Sequence, residues 1–238
     1  MNAIKFVVLI LSLCLLHSCK KEKATQEEVS VPKPFYYVQT MTDSLPFSVG
    51  FYRYYYDANG RSTETTCNGT EVLNIERSGD QLIYKTNPGL STEQTYTYNL
   101  NNAGLLVSGT GKVYGRDQHL TFEYDENGYL VKQTTIFDSK VTVSTITIKS
   151  GNVSSINTSW GSSSDVTTFE YYPYTTNTIG NLNMGYNFRG KQSVNLLKSE
   201  TKGSVVTNYT YVLDAKNRVI KKKVTTNNVT KGTTYTYY

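Results

Sequence analysis

Residues 122–133 read FEYDENGYLVKQ, and two incompatible structures fit that stretch at first sight. Counted from Glu123, it places Glu, Asp and Asn at positions 1, 3 and 5 of a calcium loop and Gly128 at position 6. Read as a hairpin, it is a strand, an Asp-initiated turn and a returning strand. The calcium reading fails at position 12, where a bidentate Glu is required and Thr134 stands. It fails again by comparison within the chain. The pattern aromatic, polar, aromatic, Asp or Asn, two residues, Gly or Asn recurs in RYYYDANG (Arg53–Gly60), YTYNLNNAG (Tyr96–Gly104) and YTYVLDAKN (Tyr209–Asn217). Metal sites would not exchange their carboxylates so freely. A turn does, because Asp and Asn both accept backbone N–H bonds two residues on. Gly or Asn then takes the positive φ that ends the turn.

Working outward, aromatics at i and i+2 share one face of a strand and pair across neighbours. TVSTITIK (Thr142–Lys149) and YTYVL (Tyr209–Leu213) alternate in the same way, and Tyr235-Thr236-Tyr237 repeats the strand without its turn. Turn centres at Ala103, Gly115, Asn127, Ser139, Gly151 and Ser163 are 12 positions apart. Removing about four residues per turn leaves strands of about eight, within the usual range. This predicts an all-β fold: an antiparallel meander of repeated hairpins forming a curved sheet or a barrel-like structure.

The pattern breaks around 172–200, which holds Pro173 and GKQSVNLLKSE (Gly190–Glu200). That stretch is read as an irregular insertion with one helical turn at Val194–Lys198. Long loops in compact domains are often functional, and an Ω-like cap over an open end of the sheet is the equal alternative.

The N-terminus carries an address. Met1–Lys5 is a short basic start and FVVLILSLCLL (Phe6–Leu16) is an apolar run. That run is too short to span a bilayer and has signal-peptide length. Leu16-His17-Ser18-Cys19 follows as a bacterial lipobox. Residues 1–18 are thus expected to be a lipoprotein signal peptide, with Cys19 the lipidation site. Residues 19–34 follow as the lipidated cysteine and a flexible charged tether, and 35–238 as a single domain. Triacylation of Cys19 would give the multiple chains that durable anchoring needs.

Cys14 leaves with the signal and Cys19 becomes a thioether, so Cys67 remains alone and no intrachain disulfide forms. The net charge of +5 is interspersed. Lys221-Lys222-Lys223 should straddle both faces of a strand, so no nucleic-acid footprint arises. His119 is the sole histidine after cleavage, with Asp117 at i−2, and builds neither a triad nor a structural zinc site. Gly109-Thr110-Gly111-Lys112 lacks the remaining residues of a phosphate loop, since Leu106 and Val113 occupy the required positions. No catalytic residue, metal site or cofactor is assigned. Carboxylate chemistry would need two acids about 5–10 Å apart in space.

The lipobox followed by KKE, the Tyr-Asp-x-x-Gly hairpins, GKQSVNLLKSE and the closing YTYVLDAKNRVIKKKVT…YTYY together resemble a family of Bacteroidota lipoproteins of unknown function with a porin-like fold. The hairpin unit alone is similar to the YD repeats of Rhs-type proteins. The resemblance covers most of 35–238 and implies a curved antiparallel sheet, outer-membrane or surface placement, and no catalytic residues. Asn217 departs from the family's usual Gly. A transmembrane barrel needs an apolar outward band, whereas the non-aromatic strand positions here are Thr, Ser, Lys and Asn, so a water-exposed sheet is expected.

The expected function is a lipid-anchored envelope protein, a non-enzymatic binding or scaffold module. Its partners are the membrane through the anchor and a glycan or an envelope protein, and its Lys-rich edge strands favour a monomer. The glycan rests on the Tyr content and the single Trp160. The alternatives are a carboxylate-dependent polysaccharide hydrolase and a lipid carrier using the interior of the sheet.

Overall fold

The computed structural model describes residues 37–45 and 48–238; the signal peptide, Cys19 and the tether lie outside them. The described residues form a closed barrel of sixteen antiparallel strands in which every neighbour in sequence is a neighbour in space. Its first half comprises β1 Val38–Leu45, β2 Ser48–Tyr56, β3 Ser62–Cys67, β4 Thr70–Ser78, β5 Gln81–Thr86, β6 Gln94–Leu100, β7 Leu106–Val113 and β8 Arg116–Tyr124. Its second half comprises β9 Leu130–Phe137, β10 Lys140–Lys149, β11 Asn152–Trp160, β12 Ser163–Thr176, β13 Asn195–Lys202, β14 Val205–Leu213, β15 Val219–Thr226 and β16 Val229–Tyr237. β16 pairs with β1, with Met41 opposite Tyr235 and Asp43 opposite Thr233. Closure removes the free edges that the sequence reading assumed: Lys221–Lys223 lie in β15, inside the sheet.

FEYDENG is a hairpin. Asp125 Oδ1 accepts the N–H groups of Asn127 at 3.0 Å and Tyr129 at 2.8 Å. Asp57 does the same for Asn59 and Arg61, Asn101 for Ala103 and Leu105, and Asp214 for Lys216 and Arg218. One side-chain oxygen thus satisfies two backbone donors, and the neutral amide of Asn101 serves as well as a carboxylate. Gly128 and Asn217 occupy the equivalent left-handed position, φ 82° and 58°. Asn is the non-glycine residue that tolerates this best.

Immediately after each of these turns the ladder carries a bulge. Glu123 faces Lys132 and Tyr124 faces Leu130, so Val131 is the extra residue. Thr63, Val107 and Ile220 are the extra residues of the sibling hairpins, and Ser154 that of β10–β11. A bulge bends and twists its strand, which a sheet that closes on itself requires.

All four modules lie at one end of the barrel, because each β-strand pair they join runs the same way. The β12–β13 connection also falls at this end. It is shorter than the 172–200 stretch expected from the sequence: β12 continues to Thr176 and β13 begins at Asn195. Val194–Lys198 is not helical; the helical turns are α1 Asn181–Met184 and a 3-10 turn at Asn187–Arg189.

This connection is a cap. Phe188, fully buried, and Met184 and Tyr186 join Leu73, Ile75, Leu82, Leu100, Leu106, Leu196 and Val219 in the core. The cap also meets backbone groups freed where the ladder is interrupted. Ser62 N–H donates to Gly185 O (2.9 Å), Val219 N–H to Thr178 Oγ1 (2.9 Å) and Val153 N–H to Ser193 Oγ (3.0 Å). Lys191 N–H donates to Gly128 O at 2.8 Å. Buried donors left unpaired are costly, so the bulges that curve the barrel also dictate what covers them. Gly185 sits at φ 79°, and a Cβ there would lie 2.5 Å from Ser62 N.

Candidate functional site

Strand alternation sorts the wall into two chemistries. The outward positions hold Thr, Ser and Asn, scattered apolar side chains such as Phe51, Ile136, Val141, Val166 and Val206, and cross-strand ion pairs: Lys85–Glu76 at 2.6 Å, Lys132–Glu123 at 2.7 Å and Lys198–Glu170 at 2.9 Å. The inward positions hold the aromatics, among them Tyr54, Tyr98, Tyr209 and Tyr235, all buried. A lipid-spanning barrel has the opposite arrangement, apolar outside and polar within. The charged pairs set this outer face apart from such an apolar band.

The aromatic rings are held along the wall. Tyr211 donates its hydroxyl to Leu197 O at 2.9 Å, Tyr172 to Tyr209 O at 2.8 Å and Tyr237 to Val219 O at 2.7 Å. Burial pushes the Tyr211 and Tyr237 phenols far up. Tyr96 and Tyr98 stack with centroids 5.9 Å apart, and their rings cover Gly111 and Gly109 on the next strand. A Cβ at Gly109 would lie 2.3 Å from the Tyr98 ring, so these two glycines are seats for aromatics.

Away from the cap the inward side chains are covered unevenly: Thr135, Ser144, Thr207 and Thr233 are buried. Leu120, Phe122, Gln133, Phe137, Thr158, Trp160, Phe169 and Glu200 all face inward by register yet are only half-buried. The barrel is therefore a cup, closed by its own chain at one end and lined by aromatic and polar groups towards the other. Both termini of the barrel lie at the closed end: Tyr238 N–H donates to Tyr37 O at 3.1 Å, beside the Asp57 turn.

Charges in the cup are few and most are matched. Lys202 pairs with Asp165 at 2.7 Å. Asp43 accepts from Thr233 Oγ1 at 2.5 Å. Glu200 is held above the usual carboxylate range by desolvation, partly offset by a hydrogen bond from Tyr209. Arg77 lies with its guanidinium 5.2 Å from the centre of the Phe188 ring, and burial lowers it to about 10.

Lys222 is the exception. Its neighbours alternate outward, while its own register partners, Tyr211 and Thr233, point in. Its ammonium lies 6.0 Å from the centre of the Tyr235 ring. Among the described residues it has neither a hydrogen-bond partner nor an ion pair. Desolvation holds it below the ordinary lysine range, with the Asp43 charge acting the other way.

The residues singled out in the sequence fare differently. His119 and Asp117 are exposed, and both point out from β8. Asp117 pairs with Lys112 at 3.0 Å. Cys67 is half-buried opposite Tyr52, whose phenol desolvation and a hydrogen bond with that thiol push up to about 12. Gly109–Lys112 is a strand segment, not a phosphate loop. Trp160 faces the mouth of the cup from the end of β11. On the open rim Asn87, Glu93, Gln94, Lys112 and Tyr114 border a pocket of about 690 Å³. Cys19 lies outside the described residues.

The inward acids do not form a facing pair on the wall. Asp43 on β1 and Glu200 on β13 are separated by three intervening strands, about 19 Å along the wall at about 4.8 Å per strand. Asp165 lies four residues from the Glu200 partner, Phe169, about 13 Å along β12. A two-carboxylate hydrolase needs about 5–10 Å.

No protein-family model matches the chain, and no curated protein does. Among the solved structures similar to this chain are two described as porin-like proteins. The one from Bacteroides uniformis is 17% identical and superposes with a TM-score of 0.70 over 87% of this chain and 99% of its own. The one from Bacteroides vulgatus is 13% identical, with a TM-score of 0.59 over 85% of this chain and 99% of its own. At these identities the likeness shows the fold: an all-β antiparallel meander closed as a sixteen-strand barrel.

Proposed function

We propose that this protein is a lipid-anchored component of a bacterial cell envelope whose barrel is a non-enzymatic cup binding a small ligand, with glycans the leading class. The carrying observation is the asymmetric interior: one end closed by Phe188 and the 177–194 connection, the other lined by half-buried Phe122, Phe137, Trp160, Gln133 and Thr158. A barrel stoppered by its own chain is a container rather than a through-channel. Flat aromatic faces beside hydroxyls and amides suit sugar rings, which present both C–H faces and polar edges.

The anchor fits that geometry. A chain lipidated at Cys19 enters the barrel at Val38, on the capped end. That end would face the membrane and leave the open mouth turned away from it. The intervening residues, about 18, reach about 60 Å fully extended.

Two measurements test the reading. Radiolabelled palmitate should enter the wild-type chain in a bacterial host and not Cys19→Ala. Calorimetry of the whole chain against a neutral and acidic oligosaccharide panel should give at least one ligand, competed by substitution of Trp160. If no saccharide binds, the glycan class falls. If palmitate enters Cys19→Ala equally, the anchor falls.

A further inference from the structure

We propose that Lys222 is the anchoring group for an acidic ligand in the cup, one whose carboxylate pairs with the ammonium while its body lies against Tyr211 and Tyr235. The inference rests on the reading of the lumen as a binding site and adds the ligand's charge.

Three observations carry it independently of any titration. The first is position: Lys222 occupies a row that runs Gly50, Asp43, Thr233, Lys222, Tyr211 across five neighbouring strands, all facing inward. The second is the lack of a partner. Asp43 is the nearest acid in that row, but Thr233 stands between them, so the two strands are about 10 Å apart, and the carboxylate is already accepting from Thr233. Of the other inward cations, Lys202 is paired with Asp165, and Arg77 lies over the Phe188 ring beneath the cap with its Nη2 unpaired. Lys222, by contrast, is half-buried beside the Tyr235 ring with no acid at ion-pair distance, where an incoming anion gains because less water competes than at the open surface. The third is the mouth. Lys140 and Lys231 occupy inward register positions at the open end and remain exposed. Lysines at a concave entrance raise the local concentration of anions and steer them inward.

A lysine partly withdrawn from water gains from a counter-charge. Asp43 is close enough to favour the charged form and too far to neutralise it. That leaves an ammonium prepared for a carboxylate that the protein does not itself supply. Glu200, on the opposite side of Tyr209, marks the boundary of this anion-favouring patch. An elongated ligand would place its acid at Lys222 and neutral hydroxyls near Glu200.

The test uses the whole chain, with trigalacturonate and the neutral galactotriose as matched probes in calorimetry, and the variants Lys222→Met and Lys222→Arg. Wild type should bind trigalacturonate at least tenfold tighter than galactotriose. Lys222→Met should erase that preference by weakening trigalacturonate at least tenfold, and Lys222→Arg should retain most of it. An unchanged preference in a Lys222→Met variant with a wild-type circular dichroism spectrum overturns the proposal and leaves the cup reading standing. If neither sugar binds, the glycan reading fails and Lys222 is judged with benzoate against benzyl alcohol, followed by Trp160 fluorescence. A benzoate response lost in Lys222→Met supports the anchor, and one that persists, or none in wild type, rejects it.

Discussion

The two halves of this barrel are made from the same strands yet follow different rules. At the capped end β3, β7, β9, β11 and β15 begin with a bulge, backbone groups of Ser62, Gly128, Val153 and Val219 are met by the 177–194 connection, and the interior is sealed around Phe188, Leu82 and Val219. At the open end the turns are the short Asn68-Gly69, Tyr114-Gly115 and Asn227-Asn228 kinds with positive φ. There the inward aromatic side chains Phe137 and Trp160 stay half-buried, while the inward Thr135 and Thr207 are buried. The capped half is thus where apolar burial stabilises the fold, and the open half is where polar and charged groups are tolerated for use. Residues that stabilise and residues that bind are segregated along one axis, so substitutions at the two ends should differ in size and in sign.

The sharpest break of this contrast is Phe188→Ala. Removing a fully buried aromatic from the cap should cost about 3–5 kcal/mol, visible as a lower midpoint in urea at unchanged slope. A loss below about 1 kcal/mol would mean the cap is a loose lid and the capped half is not the stabilising one. Next in size is Asp125→Ala, which strands two backbone donors and should cost about 1–2 kcal/mol. Asp125→Asn should stay within about 0.5 kcal/mol, because Asn101 makes the same pair of bonds in the sibling turn. A large loss in Asp125→Asn would reopen an ionic role for that carboxylate.

The open half should respond with the opposite sign. Lys222→Met removes an unmatched charge from among rings and should stabilise the barrel by about 1 kcal/mol at pH 7, or about 2–4 °C in Tm. The sign follows from the depressed lysine. Between its folded titration and that of the unfolded chain, the unfolded state holds the extra proton, so wild-type stability rises with pH. The gap between variant and wild type should therefore shrink as pH climbs towards about 10.4, the ordinary lysine value. A destabilised Lys222→Met at pH 7 would assign the residue to structure instead of binding.

How much of this was legible beforehand differs between the same two halves. The hairpin module, the all-β class and the Asn217 substitution for Gly could be read because each depends on local turn chemistry. The cap was one of two open alternatives, and its extent was overdrawn, since Tyr171–Thr176 and Asn195–Glu200 are strand residues whose partners are distant in sequence. The inward lysine was hidden for a more specific reason. Counting back from the Asp214 turn without a bulge would place Lys221 opposite Tyr211. Ile220 bulges, and parity shifts by one. A single unpaired residue thus moves a different lysine into the cup, and a one-residue slip exchanges the two faces. The Tyr content pointed to sugar-binding faces on the outside. Closure of the sheet puts most of those rings inside, a consequence of pairing between residues as far apart as Met41 and Tyr235.

The smallest effect is expected on the outer wall, and its smallness is the informative part. Glu123 and Lys132 face each other across β8 and β9 at 2.7 Å, with side chains 58% and 41% exposed. In water such a pair contributes little, about 0.2–1 kcal/mol, because solvent screens it and ordering two long side chains costs entropy. Lys132→Met should therefore change the urea midpoint of the whole chain barely at all, and the residual effect should fade in 1 M salt. The same variant and wild type should also float unbound from phosphatidylcholine vesicles when the acyl anchor is absent. If Lys132→Met instead raised stability or drove the barrel into those vesicles, the outer face would be lipid-facing and the division into a water-washed wall and an aromatic interior would be wrong. The clustering of Lys85–Glu76, Lys132–Glu123 and Lys198–Glu170 on three separate parts of the circumference argues against that outcome. A barrel immersed in hydrocarbon all round would have to bury those pairs, at a cost of several kcal/mol per ion.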